Sequence, residues 1–189
     1  KGILLINAGN ANAFTGQEGL LACKSKALSL ANIFKCDEEN ILFSSTGVIG
    51  ERLPYEKIIP HFSYLKENLS AFGLRAASEA ILTTDLRPKT YTSSFKINNE
   101  LFTISGFAKG SGMIFPNMAT MLAFIFTDFA IDRETLSEFT KKAVNESFNR
   151  ISVDGDTSTS DSVFVSTTNK KELKVAREKR PAALNAFYK

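Results

Sequence analysis

The sequence predicts an α/β fold, an α+β arrangement of a mixed sheet with flanking helices, and three observations carry that reading. Apolar runs of strand length, at residues 3–6, 121–126 and 163–165, are scattered among segments whose apolar residues recur three or four apart. The two kinds of segment do not alternate strictly, and one pair, residues 91–97 and 101–107, flanks Asn98-Asn99 as a hairpin does. No Pro- or Gly-rich linker divides the chain, so residues 1–189 read as a single structural unit.

Taken in order, residues 3–6 form an apolar strand that Asn7-Ala8-Gly9-Asn10-Ala11-Asn12 breaks with turn formers. Thr15-Gly16-Gln17-Glu18 fits a capping box, and Leu20, Ala27, Leu28, Ala31 and Phe34 behind it keep helical spacing. Residues 40–45 read as a short buried strand ending in a turn at Thr46-Gly47. Pro54 suits the first turn of a second helix whose apolar face is Ile58, Phe62, Leu65 and Leu69. A shorter helical stretch at 74–82 leads into Thr83-Thr84-Asp85. After the hairpin and a Gly-rich segment at 110–112 comes the strand at 121–127. Asp132 caps a helix carrying Leu136, Phe139, Ala143 and Phe148 on one side, and a polar loop at 154–161 precedes the last strand.

Composition excludes several classes of function. Hydrophobic residues at 43% and charged residues at 23% are ordinary globular values, and no apolar run reaches the ~18 residues that span a bilayer. The net charge of +3 reflects a basic cluster late in the chain, Lys170, Lys171, Lys174, Arg177, Lys179 and Arg180, without interleaved aromatics. It reads as a solvated surface, not as a nucleic-acid site. Two cysteines are too few for a disulfide framework and match no zinc spacing, so a reducing, cytoplasmic setting is expected. The single histidine, His61, sits on an amphipathic helix, which argues against a Ser-His-Asp triad. Asp154-Gly155-Asp156 lacks the glycine and glutamate of a calcium loop, and Lys109-Gly110-Ser111-Gly112 lacks phosphate-loop spacing. No metal and no resident cofactor are expected.

Three polar segments beside apolar strands remain: Ser44-Ser45-Thr46-Gly47, Thr83-Thr84-Asp85 and Asn117-Met118-Ala119-Thr120. Each alone reads first as a turn. A Thr-Gly turn after a buried strand can also aim backbone N–H groups at an anion. A threonine opening a buried strand can be a nucleophile if a base activates it. With histidine scarce, cleavage before that threonine would free its own α-amine, whose pKa of ~7.7–8.0 suits a general base.

Several blocks together resemble the ornithine acetyltransferase (glutamate N-acetyltransferase) family of arginine biosynthesis. They are Asn7-Ala8-Gly9-Asn10-Ala11-Asn12-Ala13, Ser45-Thr46-Gly47-Val48-Ile49-Gly50, Thr83-Thr84-Asp85, residues 109–122 and residues 148–159, and they occur in family order. The resemblance implies a fragment of an N-terminal-nucleophile-like fold. It implies a precursor that cuts itself between Ala119 and Thr120, with residues 1–119 belonging to an α chain and 120–189 to a β chain. Thr120 then carries the acetyl group from N-acetylornithine to glutamate. Thr46 and Gly47 match the family's oxyanion-hole pair, and Thr83 and Lys109 match substrate-binding positions, with Thr84 adjacent. The expected partners are those two small molecules and the two processed chains in a higher hetero-oligomer, without nucleic acid or membrane. The resemblance leaves acetyl-CoA open as a second donor. Family members run to about twice this length, so an acidic substrate-binding residue and a serine or threonine near the family's C-terminus are expected outside this sequence. Two other readings keep the fold: a self-processing threonine amidohydrolase or aminopeptidase, and a non-catalytic relative.

Overall fold

A computed structural model describes residues 2–97, 99–114, 121–172, 184–185 and 187–188. Its strands fall into two sheets. In the first, β1 (Ile3–Asn10) and β2 (Ile41–Val48) pair in parallel from Ile3↔Ile41 to Asn10↔Val48. Parallel neighbours need a crossover, and α1 (Gly16–Phe34) supplies it. Three short helices follow: α2 (Tyr55–Ile58), α3 (Phe62–Glu67) and α4 (Leu74–Ala80). The second sheet has the order β3 (Lys89–Ile97), β4 (Glu100–Lys109), β5 (Leu122–Phe129) and β6 (Ser162–Lys171). Its β3–β4 and β4–β5 pairs are antiparallel, and β5–β6 is parallel with α5 (Arg133–Glu146) in the crossover. The mixed sheet and the hairpin are therefore as the sequence suggests, and Asn99 takes a φ of 67° in the hairpin turn.

Side-chain alternation stacks these pieces. On β1, Ile3 and Leu5 pack with Leu30, Ala31, Ile41 and Phe62 on the α1 side. Leu4, Ile6 and Ala8, pointing the other way, pack against Phe107, Leu122 and Phe124 of the second sheet. The opposite face of that second sheet holds Phe95, Phe102 and Phe129 against Leu136 and Phe139 of α5. The order is helix, sheet, sheet, helix. Packed and partly buried on both faces, β1 shows the continuous apolar run expected of a strand between two layers.

Several local readings change. Asn7-Ala8-Gly9-Asn10 does not break β1, and Thr46-Gly47 is not a turn; both lie within the paired strands. The ladder between parallel neighbours overrides the turn propensity of Asn and Gly here. Thr15 stands at the N-cap of α1, but its hydroxyl donates to Asn12 Oδ1 at 3.3 Å, so the capping box does not form. The buried stripe of α1 is Gly19, Ala22, Lys26, Ala27, Leu30 and Ala31, while Leu20 and Leu28 are 56% and 53% exposed. Small residues bring this helix close to the sheet, and Lys26 lies over the Phe43 ring at 4.6 Å. The second expected helix is split, because Pro60 cannot donate within a continuing helix and sits in a 3-10 turn at Ile59–His61. Phe62 is buried, but Leu65 and Leu69 are exposed, as is His61. Asp132 does cap α5, accepting from Thr135 N at 2.9 Å.

Candidate active site

Strand parity decides which way the candidate residues look. Ile41 and Phe43 of β2 face α1, so Ser44 and Thr46 face the second sheet. Thr46 is 0% exposed, and its Oγ1, like Ser44 Oγ, has no hydrogen-bond partner among the described residues. Ser45 points the other way and donates to Asn7 Oδ1 at 2.7 Å. Gly47 has a φ of 133° and lies in register with Gly9, whose φ is 100°. A Cβ on Gly47 would stand 2.2 Å from the Gly9 carbonyl carbon, so the two backbones approach as closely as only glycine permits.

On the facing sheet, Lys109 ends β4 with the parity of Phe107 and so looks toward β1 and β2. It is 3% exposed and donates from Nζ to Thr83 Oγ1 at 2.8 Å. Burial holds its pKa below the usual lysine value, although Asp85 nearby favours the charged form. The structure thus joins Lys109 to Thr83 directly. Thr84 lies beside them in the exposed loop after α4, sharing a hydrogen bond of 2.6 Å with Ser111 Oγ.

Asp85 explains how this loop is held. Its carboxylate accepts from Lys89 Nζ and, at 2.8 Å, from the Gly110 N–H. Burial pushes this carboxyl upward, but those bonds outweigh it and keep the pKa below the ordinary carboxylate range. The loop bearing Thr83 is therefore tied to the peptide that follows Lys109.

The expected nucleophile Thr120 and its neighbour Ala119 lie outside the described residues, within 115–120. On either side of that segment the chain is gripped by a carboxylate of the polar loop. Asp154 accepts from Met113 N at 2.5 Å and Ile114 N at 2.9 Å, while Val153 N donates back to Ile114 O at 2.6 Å. The Met113 N–H leads the bonds that lower the Asp154 pKa. Asp161 accepts from Met121 N at 2.6 Å, while Ser162 N donates back to Met121 O at 3.0 Å. Burial pushes the Asp161 carboxyl up to about 6, against the pull of that single N–H. From the sequence alone Asp161 has no assigned role, Asp85 figures only within Thr83-Thr84-Asp85, and Asp154 figures individually only as a calcium ligand. Among the described residues no group of three or more His, Cys, Asp or Glu could hold a metal ion.

A cavity of about 270 Å³ opens between the two sheets' edges, lined by Asn12, Ser44, Ser45, Thr159, Ser160 and Asp161 among others. It is predominantly polar, and its walls come from β2 on one side and the approach to β6 on the other. This open polar cleft thus borders both the strand carrying Thr46-Gly47 and the carboxylate that grips residue 121.

Comparison with known proteins identifies relatives of this chain. The chain is 45% identical over 175 residues to "Arginine biosynthesis bifunctional protein ArgJ" of Caldanaerobacter subterraneus, covering 93% of this chain and 43% of that protein. It is 44% identical over 179 residues to the protein of the same name from Staphylococcus aureus, covering 94% and 43%. The chain therefore spans less than half the length of these relatives. A crystal structure of arginine biosynthesis bifunctional protein ArgJ from Bacillus halodurans superimposes with a TM-score of 0.54 at 39% identity, covering 61% of each chain. The model of the ArgJ family matches residues 2–189, and with these relatives it establishes that the chain belongs to that family.

Proposed function

We propose that the protein of which this chain forms part transfers the acetyl group of N-acetylornithine to glutamate in arginine biosynthesis, through an acetyl ester on Thr120. The observation that best supports this is the Lys109–Thr83 pair, a buried ammonium bonded to the hydroxyl of a residue in the exposed loop after α4. Held there, the ammonium suits the α-carboxylate of an amino-acid substrate.

In this scheme the Thr120 hydroxyl first attacks the Ala119 carbonyl, and hydrolysis of the resulting ester frees the Thr120 α-amine. That amine takes the hydroxyl proton as Thr120 attacks the acetyl carbonyl of N-acetylornithine. Thr46 and Gly47 stabilise the tetrahedral oxyanion, the C–N bond breaks, and the proton passes to the departing ornithine amine. Glutamate then attacks the ester through its amine and leaves as N-acetylglutamate, restoring the hydroxyl. No metal or resident cofactor enters these steps. The relatives' printed "bifunctional" favours acetyl-CoA as a second acetyl donor to the same threonine. The α and β chains remain associated, in a higher hetero-oligomer, in the cytoplasm.

Intact mass spectrometry of the full-length gene product tests the scheme. Two chains are expected, the second beginning Thr-Met-Leu-Ala. With N-acetylornithine and no glutamate, that chain should gain about 42 Da, one acetyl group, on Thr120. Thr120→Ala should stay uncut and inactive, whereas Thr120→Ser should keep some of both activities. An acetyl label on Lys109 or on a cysteine, with transfer proceeding normally, overturns the mechanism. Release of free acetate at the same rate with or without glutamate would mark a hydrolase instead.

A further inference from the structure

The acetyl-transfer scheme gives Asp85 no task, yet the fold buries its side chain completely, at 0% exposure. Burying a charge is costly unless it is paired and hydrogen-bonded. Oδ1 meets that need twice, accepting from Lys89 Nζ at the start of β3 and from the Gly110 N–H at 2.8 Å. Lys89 also donates to Gly110 O at 3.0 Å, so both the N–H and the carbonyl of Gly110 are held. Hydrogen bonds from side chains thus tie residues 83–85 to residues 109–111. Lys109 Nζ donates to Thr83 Oγ1 at 2.8 Å, Thr84 and Ser111 share a bond of 2.6 Å, and Gly110 donates to Asp85. Thr83 and Thr84 are exposed, whereas the Asp85 side chain is the buried anchor of its loop.

The charges leave Lys109 free to bind. Lys89 is the cation that Asp85 contacts, while Lys109 spends one of its three donors on Thr83. A carboxylate bonded to Lys109 itself would compete with a ligand for the same N–H groups. Bonded elsewhere, Asp85 supports the charge and leaves those groups open. Burial lowers the Lys109 pKa, Asp85 raises it through space, and Lys89 lowers it further. Among the described residues, Asp85 and Lys89 are the charged groups acting on Lys109, and Lys89 and Lys109 those acting on Asp85.

We propose that Asp85 is the positioning residue of Lys109: it locks the Thr83 loop to the end of β4 and balances the buried ammonium through space, so that Lys109 meets the substrate's α-carboxylate. Asp85 does not touch that substrate. The inference rests on the reading of Lys109 as the carboxylate-binding residue of acetyl transfer.

The test uses the full-length protein with N-acetylornithine, which carries an α-carboxylate and no free α-amine. Asp85→Asn keeps an oxygen for the Gly110 N–H and removes the charge. Its KM for N-acetylornithine should rise about 10-fold with the turnover number within about threefold, the pattern of lost uniform binding. Without that charge Lys109 gives up its proton more readily, so the alkaline limb of kcat/KM should move to lower pH. Asp85→Glu should restore part of the lost affinity. Unchanged KM with an unmoved alkaline limb, or a fall in turnover number alone, overturns the proposal. A second variant does not depend on Asp85→Asn folding. Lys89→Gln, at a half-exposed position, removes the cation that opposes Lys109, so the alkaline limb should move the other way, to higher pH. A limb that stays in place or moves down in Lys89→Gln overturns the proposal. Lys109→Met separates the two levels of failure. If it leaves KM unchanged, the carboxylate-binding reading of Lys109 fails and the role of Asp85 with it. If it raises KM while Asp85→Asn does not, only the role of Asp85 is removed.

Discussion

Thr46 sits at 0% exposure with a hydroxyl that bonds to nothing among the described residues. Burying an unpaired hydroxyl costs about 1–3 kcal/mol, and a valine of the same shape would relieve that cost. Thr46→Val should therefore raise the urea midpoint of the uncut Thr120→Ala protein, or leave it unchanged. In the processed enzyme the same substitution should lower turnover, if the hydroxyl contributes to the oxyanion site; loss of one such donor typically costs ~10²–10³ in rate. A variant less stable than the parent and equally active would return Thr46 to a packing role. At this scale the sequence was partly legible. Lys109 and Thr83 were both named from the blocks that carry the family resemblance, and a hydrogen bond joins them. Asp161 was not legible, because its partner is a main-chain N–H forty positions away, which leaves no side-chain signature. Asp85 was equally hidden, since half of its grip is the backbone of Gly110.

Among the elements, β1 and β2 show how backbone contact shapes the site. Gly9 and Gly47 stand opposite one another, both at positive φ, at the end of the parallel pair that leads to the cavity. Gly47→Ala meets two obstacles, a backbone conformation unfavourable to a side chain and an atom 2.2 Å away. The expected cost is about 2–4 kcal/mol in urea unfolding. Gly50 gives the comparison: its φ is 83°, but an added Cβ meets only Phe14 Cδ1 at 4.0 Å. Gly50→Ala should cost only about 1 kcal/mol, the conformational share. Equal costs would show that close approach of the two strands is not what selects glycine at 47. These polar strand ends were misread as turns because Asn and Gly carry turn propensity, and nothing local reveals a neighbouring ladder. The long apolar runs, by contrast, declared themselves as strands, and Asp132 declared the start of α5 through the one interaction that is truly local. On α1 the large leucines suggested the wrong face, since the sheet selects small residues for contact.

At the scale of the whole molecule, the proposed cut falls between two strands that are neighbours in one sheet. Under that cut β4 lies in one chain, and β5, α5 and β6 lie in the other. The antiparallel register from Ile104↔Thr127 to Lys109↔Leu122 then joins two polypeptides. Phe107 against Phe124, with ring centroids 5.0 Å apart, becomes a contact between chains as well. The mixed sheet was legible from the scatter of apolar runs, but the stacking of two sheets was not, since it depends on pairing β1 with a strand 38 positions later. A chain tether makes the meeting of β4 and β5 intramolecular, and its loss turns that meeting into a bimolecular event. Uncut Thr120→Ala protein should regain its native signal from urea at a rate independent of protein concentration. The processed wild type should recover more slowly as it is diluted, with yield falling in parallel. Identical recovery at every dilution would show that the two parts refold independently of the tether. Under the proposed cut, processing would be a point of no return: the two chains would inherit an assembly that they are poorly equipped to rebuild, and their lifetime would be set by how slowly it first comes apart.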